Sequence, residues 1–151
     1  MKILLISDSH ERNINLDFDK YDYIFHAGDY GRSRELLMKH NAIFVCGNCD
    51  MYGDDDNFIT INDINFYITH GHIYKVKYQM GSLYLRAKEV GADIVIFGHT
   101  HKEFYDVYNN ITFINPGAFN NYSYAEIIDN EIIFYKDKMV YKKFELEKKM
   151  I

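Results

Sequence analysis

The stretch IVIFGHTHKEF, residues 94–104, carries the clearest structural signal in the sequence. Four apolar residues, Ile94–Phe97, run directly into Gly-His-Thr-His. A short run of β-branched and aromatic residues predicts a buried strand. The carboxyl end of that strand then presents two histidines, His99 and His101, and this placement needs a chemical reason.

Runs of the same type predict further strands, and two amphipathic patterns predict helices over residues 32–40 and 76–90. Asn62-Asp63 and Asn109-Asn110 predict tight hairpin turns, because Asn and Asp tolerate positive φ. The early order of strand, helix and strand predicts an α/β domain with parallel strands first and antiparallel strands later. The predicted strands are Lys2–Ser7, Tyr23–His26, Ala42–Cys46, Phe58–Ile61, Ile64–Thr69, Ile94–Gly98, Ile111–Ile114, Tyr124–Ile128 and Ile132–Tyr135.

Side chains of the kinds that bind metals follow several of these predicted strands. Ligand sites in α/β sheets gather at the carboxyl ends of strands. Side chains two residues apart on an extended backbone point to the same side, so paired residues such as Asp8 and His10 are expected to converge. The full set is Asp8, His10, Asp29, Asn48, His70, His72, His99 and His101.

The residue types indicate which ions such a site would take. Imidazole and carboxylate together suit Mn, Fe, Ni and Zn, whereas calcium prefers oxygen ligands throughout. One histidine by itself is more often a hydrogen-bonded packing residue. Five of the seven histidines lie in these motifs, however, and that clustering favours a metal site. The other two, His40 and His26, are expected on a helix surface and in a supporting or packing position.

The ordered set of motifs, D-x-H, GD, GN-x-D, HGH and GHTH, resembles the calcineurin-like metallophosphoesterase superfamily, in particular its minimal bacterial and archaeal phosphodiesterase branch. INPGAF, residues 114–119, matches a further feature of that family. The resemblance implies a two-sheet β-sandwich flanked by helices, the αββα arrangement, with residues 1–151 as one domain.

The resemblance also implies two divalent metal ions, with manganese as first choice and iron, zinc or nickel as alternatives. Asp29 would bridge the two ions. Two divalent ions less two carboxylates leave a net charge of about +2, which would attract an anion and favour a bridging hydroxide. The implied ligands are Asp8, His10, Asp29 and His101 for one ion, and Asp29, Asn48, His70 and His99 for the other.

This chain departs from many superfamily members at the residue after Asn48. Where they carry a histidine that is thought to protonate the leaving group, this chain has Cys49. A general acid contributes about 10²–10⁴ in rate, so we expect a weakened enzyme that depends on a good leaving group. His72 is a candidate substitute acid, with a structural role as the alternative. Asp50 is expected to orient a ligand through a hydrogen bond.

Net charge, apolar runs and cysteine count limit the binding partners and the location that can be expected. Net charge is -5, which disfavours tight binding of nucleic acid. No apolar run approaches the roughly 20 residues that span a bilayer, and the amino-terminal apolar run is shorter than a signal peptide needs, so we expect a cytoplasmic protein. Cys46-x-x-Cys49 has no second cysteine pair to complete a four-sulfur zinc site.

Phosphodiester hydrolysis on a small substrate is therefore the predicted function. Three other functions stay open at this point: a non-enzymatic protein-binding scaffold of the same fold, as in a small retromer subunit, a metal-dependent nuclease, and a phosphomonoesterase. A homodimer is compatible with the resemblance, and the natural substrate is not specified by these residues.

Overall fold

The computed structural model describes residues 1–147, and their strands form two mixed sheets. In the first sheet, three short parallel strands lie beside three antiparallel ones. The parallel strands are β1 (Lys2–Ile6), β2 (Tyr23–His26) and β3 (Ile43–Phe44). β9 (Ser123–Ile128) pairs antiparallel with β1, and β10 (Glu131–Lys136) and β11 (Met139–Glu145) continue the sheet to its other edge.

The second sheet has five strands in the order β4-β5-β6-β8-β7. Its centre is parallel, since β6 pairs parallel with both β5 and β8, while the two edge pairs are antiparallel. The strands are β4 (Asp56–Ile61), β5 (Ile64–Thr69), β6 (Ile94–Ile96), β7 (Glu103–Tyr108) and β8 (Ile111–Pro116).

The core lies between the sheets and on both of their outer faces. Inward side chains of β1, β5 and β6, such as Leu5, Phe66 and Ile96, form one buried cluster. Helix α1 (Arg34–Lys39) buries Leu37 against the outer face of the first sheet, and α2 (Gly81–Glu89) buries Leu83 and Ala87 against the second. The layers therefore run helix, sheet, sheet, helix, which confirms the predicted αββα sandwich.

The helices are shorter than their sequence patterns. A 3-10 turn, Gly31–Ser33, replaces the start of the first predicted helix. The second begins at Gly81 instead of residue 76, and the Gln79 side-chain oxygen accepts the Ser82 N–H at its start. Neither α-helix within residues 1–147 has the length and apolar character that a membrane-spanning helix needs.

Sequence patterns did not predict β7 or β11. Both lie at sheet edges, and their side chains are mostly half-buried in β7 and exposed in β11, so neither has a strong apolar alternation. Both predicted hairpin turns are confirmed, with positive φ at Asn62, Asp63, Asn109 and Asn110. The prediction of one domain over residues 1–151 extends past the described residues and stays a prediction.

Candidate metal centre

The predicted ligands lie in loops that follow strands of both sheets. Because β1, β2 and β3 are parallel neighbours, as are β5 and β6, the carboxyl ends within each sheet meet at one edge. Asp8 and His10 follow β1, Asp29 follows β2, Asn48 follows β3, His70 follows β5, and His99 and His101 follow β6.

The backbone at five of these residues is left-handed, not extended as the sequence interpretation assumed. That geometric reason for convergence is wrong, although the paired side chains do converge. Non-glycine residues rarely adopt this conformation, and each instance costs on the order of 1–3 kcal/mol, so such residues cluster where the surrounding structure and a function require them. The φ angles are 51° at Asp8, 48° at His10, 56° at Asp29, 71° at His99 and 64° at His101.

Asp8 is fully buried, and its two carboxylate oxygens have different surroundings. Oδ2 accepts hydrogen bonds from the Ser7 hydroxyl at 2.6 Å and from the His99 N–H at 3.0 Å. Within residues 1–147, Oδ1 has no hydrogen-bond partner. It faces the Nε2 atoms of His101, His70 and His10 at 3.2, 3.8 and 3.9 Å. A buried carboxylate oxygen without a donor is unfavourable, so this position calls for a cation.

His70 gives the same indication from the nitrogen side. Its Nδ1 lies 2.7 Å from the carbonyl oxygen of Ala27, which can only accept, so Nδ1 carries the hydrogen. In the neutral ring, Nε2 then carries a lone pair and no hydrogen. It faces three oxygens: Asn48 Oδ1 at 3.1 Å, Asp29 Oδ2 at 3.2 Å and Asp8 Oδ1 at 3.8 Å. A lone pair surrounded by oxygens is stable only when a positive charge lies between them.

Protonation supplies one such charge. Burial lowers the pKa of His70, but hydrogen bonding to Asp29 and the charge of Asp8 outweigh it and raise that pKa above its usual value. The contact with Asp8 likewise raises the pKa of His101. Burial would raise the pKa of Asp29, but the hydrogen bond to His70 and its charge lower that pKa. A metal ion binding to these atoms would displace the shared protons.

The donor atoms fit divalent metals in type and spacing. Ligand atoms bound to one ion at about 2.0–2.2 Å lie roughly 3–3.5 Å apart, and His10 Nε2 and His101 Nε2 are separated by 3.3 Å. Three overlapping groups each place their ligand atoms within 4.8 Å of one another. They are Asp8, His10 and His101; Asp8, Asp29 and His70; and His10, Asp29 and Cys49. Each aspartate belongs to two groups, so the three groups form one connected cluster.

His99 lies beside this cluster. Its ring centroid is 5.0 Å from that of His70, and within the described residues it belongs to none of the three groups. Burial and the neighbouring charge of His70 lower the pKa of His99 to about 4, which keeps the ring in the neutral form that binds metals.

Asp50 holds two of the loops that carry ligands. Its Oδ2 accepts the backbone N–H groups of Asp29 at 2.7 Å, Gly47 at 2.8 Å and Tyr30 at 3.4 Å. The loops after β2 and β3 are thereby fixed to each other. The Asp50 carboxylate thus positions Asp29 by accepting the hydrogen bond of the Asp29 backbone N–H.

Cys49 and His72, the other two predicted catalytic residues, lie at the rim. Cys49 is exposed, and its N–H donates to Asp29 Oδ1 at 2.9 Å. Partial desolvation of its sulfur and the nearby Asp29 carboxylate raise the pKa of the Cys49 thiol. His72 is half-buried, with its ring centroid 5.4 Å from that of His70. Burial and the charge of His70 lower the pKa of His72, and its buried Nδ1 has no hydrogen-bond partner within residues 1–147.

A family model, the calcineurin-like phosphoesterase superfamily domain, matches residues 1–131, which include every predicted ligand. The chain belongs to the calcineurin-like phosphoesterase superfamily. This confirms the resemblance that the motifs indicated. The chemistry of this family is metal-dependent hydrolysis of phosphoesters. The Asp and His clusters described above are groups that could hold the metal.

Similar proteins occur in several bacteria. A probable metallophosphoesterase of Mycoplasma genitalium is 33% identical over 147 residues, which cover 87% of this chain and 89% of that protein. The probable metallophosphoesterase YsnB of Bacillus subtilis is 35% identical over 130 residues, with 78% and 75% covered. A solved structure of a conserved Streptococcus pneumoniae protein, described as a predicted phosphoesterase, superposes with a TM-score of 0.82 at 27% identity and covers 95% of this chain and 97% of that one.

The sequence interpretation missed two supporting residues of this superfamily domain. Ser7 donates to Asp8, and its only sequence signal is a hydroxyl directly before the first aspartate. Asn115 donates to the Gly98 carbonyl at 3.1 Å and to Thr100 Oγ1 at 3.0 Å, so it fixes the GHTH loop. The INPGAF motif matches a family feature in the sequence, but its role in holding that loop is visible only in the tertiary contacts.

His26 supports the centre from beneath, as the sequence interpretation allowed. It is fully buried, and its Nδ1 accepts the Gly28 N–H at 3.1 Å. Its Nε2 therefore carries the hydrogen and donates to Ser9 Oγ at 2.9 Å, and Ser9 donates in turn to the carbonyl of Tyr30. This chain of hydrogen bonds joins the loop after β1 to the loop after β2. Burial lowers the pKa of His26 to about 3, so the ring is neutral.

Proposed function

We propose that the protein is a phosphodiesterase that requires two divalent metal ions. The observation that carries the proposal is the buried Asp8 Oδ1, which has no hydrogen-bond partner within residues 1–147 and lies 3.8 Å from His70 Nε2, itself surrounded by oxygen atoms of Asn48 and Asp29. A phosphodiesterase of Methanocaldococcus jannaschii, MJ0936, is 27% identical over 144 residues, with 78% of this chain and 83% of that protein covered. Its name supports the diester as the substrate class.

In this proposal Asp29 is shared by both ions. Mn²⁺ is our first choice, and Fe²⁺, Zn²⁺ and Ni²⁺ are the alternatives that the nitrogen and oxygen donors suit. Two such ions would supply positive charge at the phosphoryl oxygens and an acidified water as nucleophile. One ion is assigned to Asp8, His10, Asp29 and His101, and the other to Asp29, Asn48, His70 and His99.

The residues around the centre determine whether the leaving group can be protonated. Protonation of the leaving oxygen needs a group whose pKa is near the working pH. The pKa of His72 is lowered and that of the Cys49 thiol is raised, so neither is a well-matched acid. We therefore assign His72 and Cys49 only a weak role in proton donation. The enzyme should favour diesters whose leaving group needs no proton, such as nitrophenyl esters.

The test is hydrolysis of bis(4-nitrophenyl) phosphate beside 4-nitrophenyl phosphate, after reconstitution with each of the four metals and with metal content measured per chain. The matched pair of variants is Asp29→Asn and Asp63→Asn. Both aspartates have left-handed backbone, with φ of 56° and 63°, but Asp63 lies exposed in a hairpin turn. We expect two ions per chain and diester turnover that is lost with chelator and in Asp29→Asn and kept in Asp63→Asn.

Other outcomes would select the other functions. Faster hydrolysis of the monoester would indicate a phosphomonoesterase, and preference for polynucleotides would indicate a nuclease. Two bound ions without turnover of any ester would favour the binding scaffold. Fewer than two ions, or full activity in Asp29→Asn, would contradict the proposed centre. Sedimentation of the same samples would test the homodimer, which stays a prediction.

A further inference from the structure

A groove of about 480 Å³ opens beside the candidate metal centre. Its volume lies within the roughly 300–1,000 Å³ of sites that bind small ligands. Two walls of the groove are formed in part by residues that lie next to the GHTH and HGH motifs. Thr100 lies between His99 and His101 in the chain, and Lys102 follows them. Val76, on the other wall, packs against Gly71 of the HGH motif. The remaining lining residues are Lys77, Met80, Phe97, Glu103 and Phe104.

The groove combines an apolar floor with an excess of positive charge. Phe97 and Phe104 lie edge to face, with ring centroids 5.7 Å apart. Within residues 1–147, neither Lys77 nor Lys102 forms an ion pair, whereas Glu103 is paired with Lys136 at 3.3 Å. The two lysine charges are therefore unbalanced in a protein whose net charge is -5. Thr100 lines the groove and lies between His99 and His101 in the chain, so the groove and the centre adjoin.

We propose that this groove binds the non-reacting arm of the diester, and that this arm is an aromatic group carrying a second phosphate, as in a phosphorylated nucleoside. The inference rests on the proposed phosphodiesterase function and adds the class of substrate. The ring packs on the apolar floor beside Phe104. The second phosphate lies between Lys77 and Lys102, which form no ion pair within residues 1–147, while Glu103, the carboxylate in the lining, is paired with Lys136. A diester with two simple aryl arms uses only the floor.

The test compares two esters that release the same nitrophenolate. They are the 4-nitrophenyl ester of thymidine 5′-phosphate and the same ester with an additional 3′-phosphate. Because exposed charge contacts contribute weakly, we expect the two together to make kcat/KM roughly tenfold higher for the 3′-phosphorylated ester at low salt. That preference should shrink as ionic strength rises. Ethyl 4-nitrophenyl phosphate, which lacks the ring, should be the poorest of the three.

The preference should fall to about onefold in the double variant Lys77→Gln/Lys102→Gln. The matched control is Lys39→Gln/Lys88→Gln, which removes the same charge from exposed helix positions outside the groove and should keep the preference. A direct binding readout accompanies the kinetics. Titration of chelator-treated protein with thymidine 3′-phosphate should shift the amide signals of Thr100 and Phe104, with about tenfold weaker binding in the groove variant.

Each result bears on a different claim. If the thymidine ester is hydrolysed without any preference for the 3′-phosphate, or if the groove variant keeps that preference, the groove inference is wrong and the phosphodiesterase function stands. If no ester is hydrolysed by the metal-loaded protein, both proposals fail. Equal weakening of the preference in the control variant would assign it to net charge instead of to the groove, and would also overturn the inference.

Discussion

Replacing Gly98 by Ala should disturb the candidate centre although Gly98 binds nothing itself. A methyl group at this position would lie 2.6 Å from Asp8 Oδ2 and 3.0 Å from Ser7 Cβ, and closer still to Ser7 Oγ. Real Cβ atoms do not approach neighbours this closely, so Ser7 and Asp8 must both move. The buried hydrogen bond from Ser7 to Asp8 would then be lost or lengthened.

The magnitude follows from two contributions. Overpacking a tight interior site costs about 1–3 kcal/mol, and losing a hydrogen bond to a buried charged group costs about 1.5–3 kcal/mol. We therefore expect Gly98→Ala to lower the free energy of unfolding by roughly 3–5 kcal/mol, or the midpoint temperature by on the order of 10 °C. Because Asp8 must shift, metal affinity should fall about 10- to 100-fold.

Urea unfolding with chelator present isolates the steric contribution, and calorimetric metal titration measures the second effect. A double-mutant cycle with Ser7→Ala gives the sharper test, since removing the hydroxyl removes the closest obstacle. Gly98→Ala should then cost at least about 1 kcal/mol less in the Ser7→Ala background than alone. Gly81→Ala is the control, because its nearest atom is the flexible Gln79 Oε1 at 3.3 Å. Strict additivity of the pair, or normal stability of Gly98→Ala, would refute the steric argument.

Three further predictions follow from protonation states. His26 has a folded pKa of about 3 against an ordinary 6.5, so its stabilising contribution is complete above pH 6.5 and is lost as the pH falls below it. By urea unfolding with chelator, wild type should lose about 2 kcal/mol relative to His26→Gln between pH 7.5 and pH 5, and an unchanged difference would contradict the buried neutral ring. Metal binding should release protons, because the pKa values of His70 and His101 are raised, and metal affinity should therefore fall as the pH falls. Calorimetry in buffers of different ionisation enthalpy measures the number of protons released. If no protons are released, these two histidines are not ligands. Cys49→His should speed hydrolysis of diesters with alkyl leaving groups at least about tenfold and flatten the dependence of rate on leaving-group pKa, whereas an equally steep dependence would show that position 49 does not donate the proton.

Much of the fold could be predicted from the sequence, because the buried strands of both sheets are short apolar runs. The hairpin turns at Asn62-Asp63 and Asn109-Asn110 were predictable for a local reason, since these residue types favour the left-handed backbone that the structure has there. The edge strands β7 and β11 were not. The side chains of β7 are half-buried on both faces and those of β11 are mostly exposed, so no apolar period marks either strand.

The second helix shows a different limit. Val76 fits the apolar period of the predicted helix, but it lies before the helix begins. It is buried because it packs against Gly71 and belongs to the buried cluster that includes Tyr67 and Leu83. The same apolar residue thus satisfied a helical pattern for a reason that has nothing to do with helix formation. Local periodicity cannot separate these two causes of burial.

The candidate site was predictable in residue type and not in geometry. Motif order identified the ligand-type residues, and the structure brings them to adjoining strand ends. The left-handed backbone at His99 and His101 and the hydrogen that Nδ1 of His70 donates to Ala27 depend on tertiary contacts. So does the support from Ser7 and Asn115, since a lone serine or asparagine carries no motif-level signal of its partner.

The candidate metal centre depends on both sheets, because each sheet supplies part of the ligand set. The first sheet supplies the carboxylates Asp8 and Asp29, and the second supplies the imidazoles of His70 and His101. Their closest contacts, at 3.2 Å, therefore run from one sheet to the other. The His99 N–H that donates to Asp8 makes the same crossing through the backbone. A metal ion bound by these atoms would tie the two sheets at their open edge, where the apolar core between them ends. Any change that separates the sheets should then weaken metal binding, and metal binding should in turn oppose that separation by the same free energy.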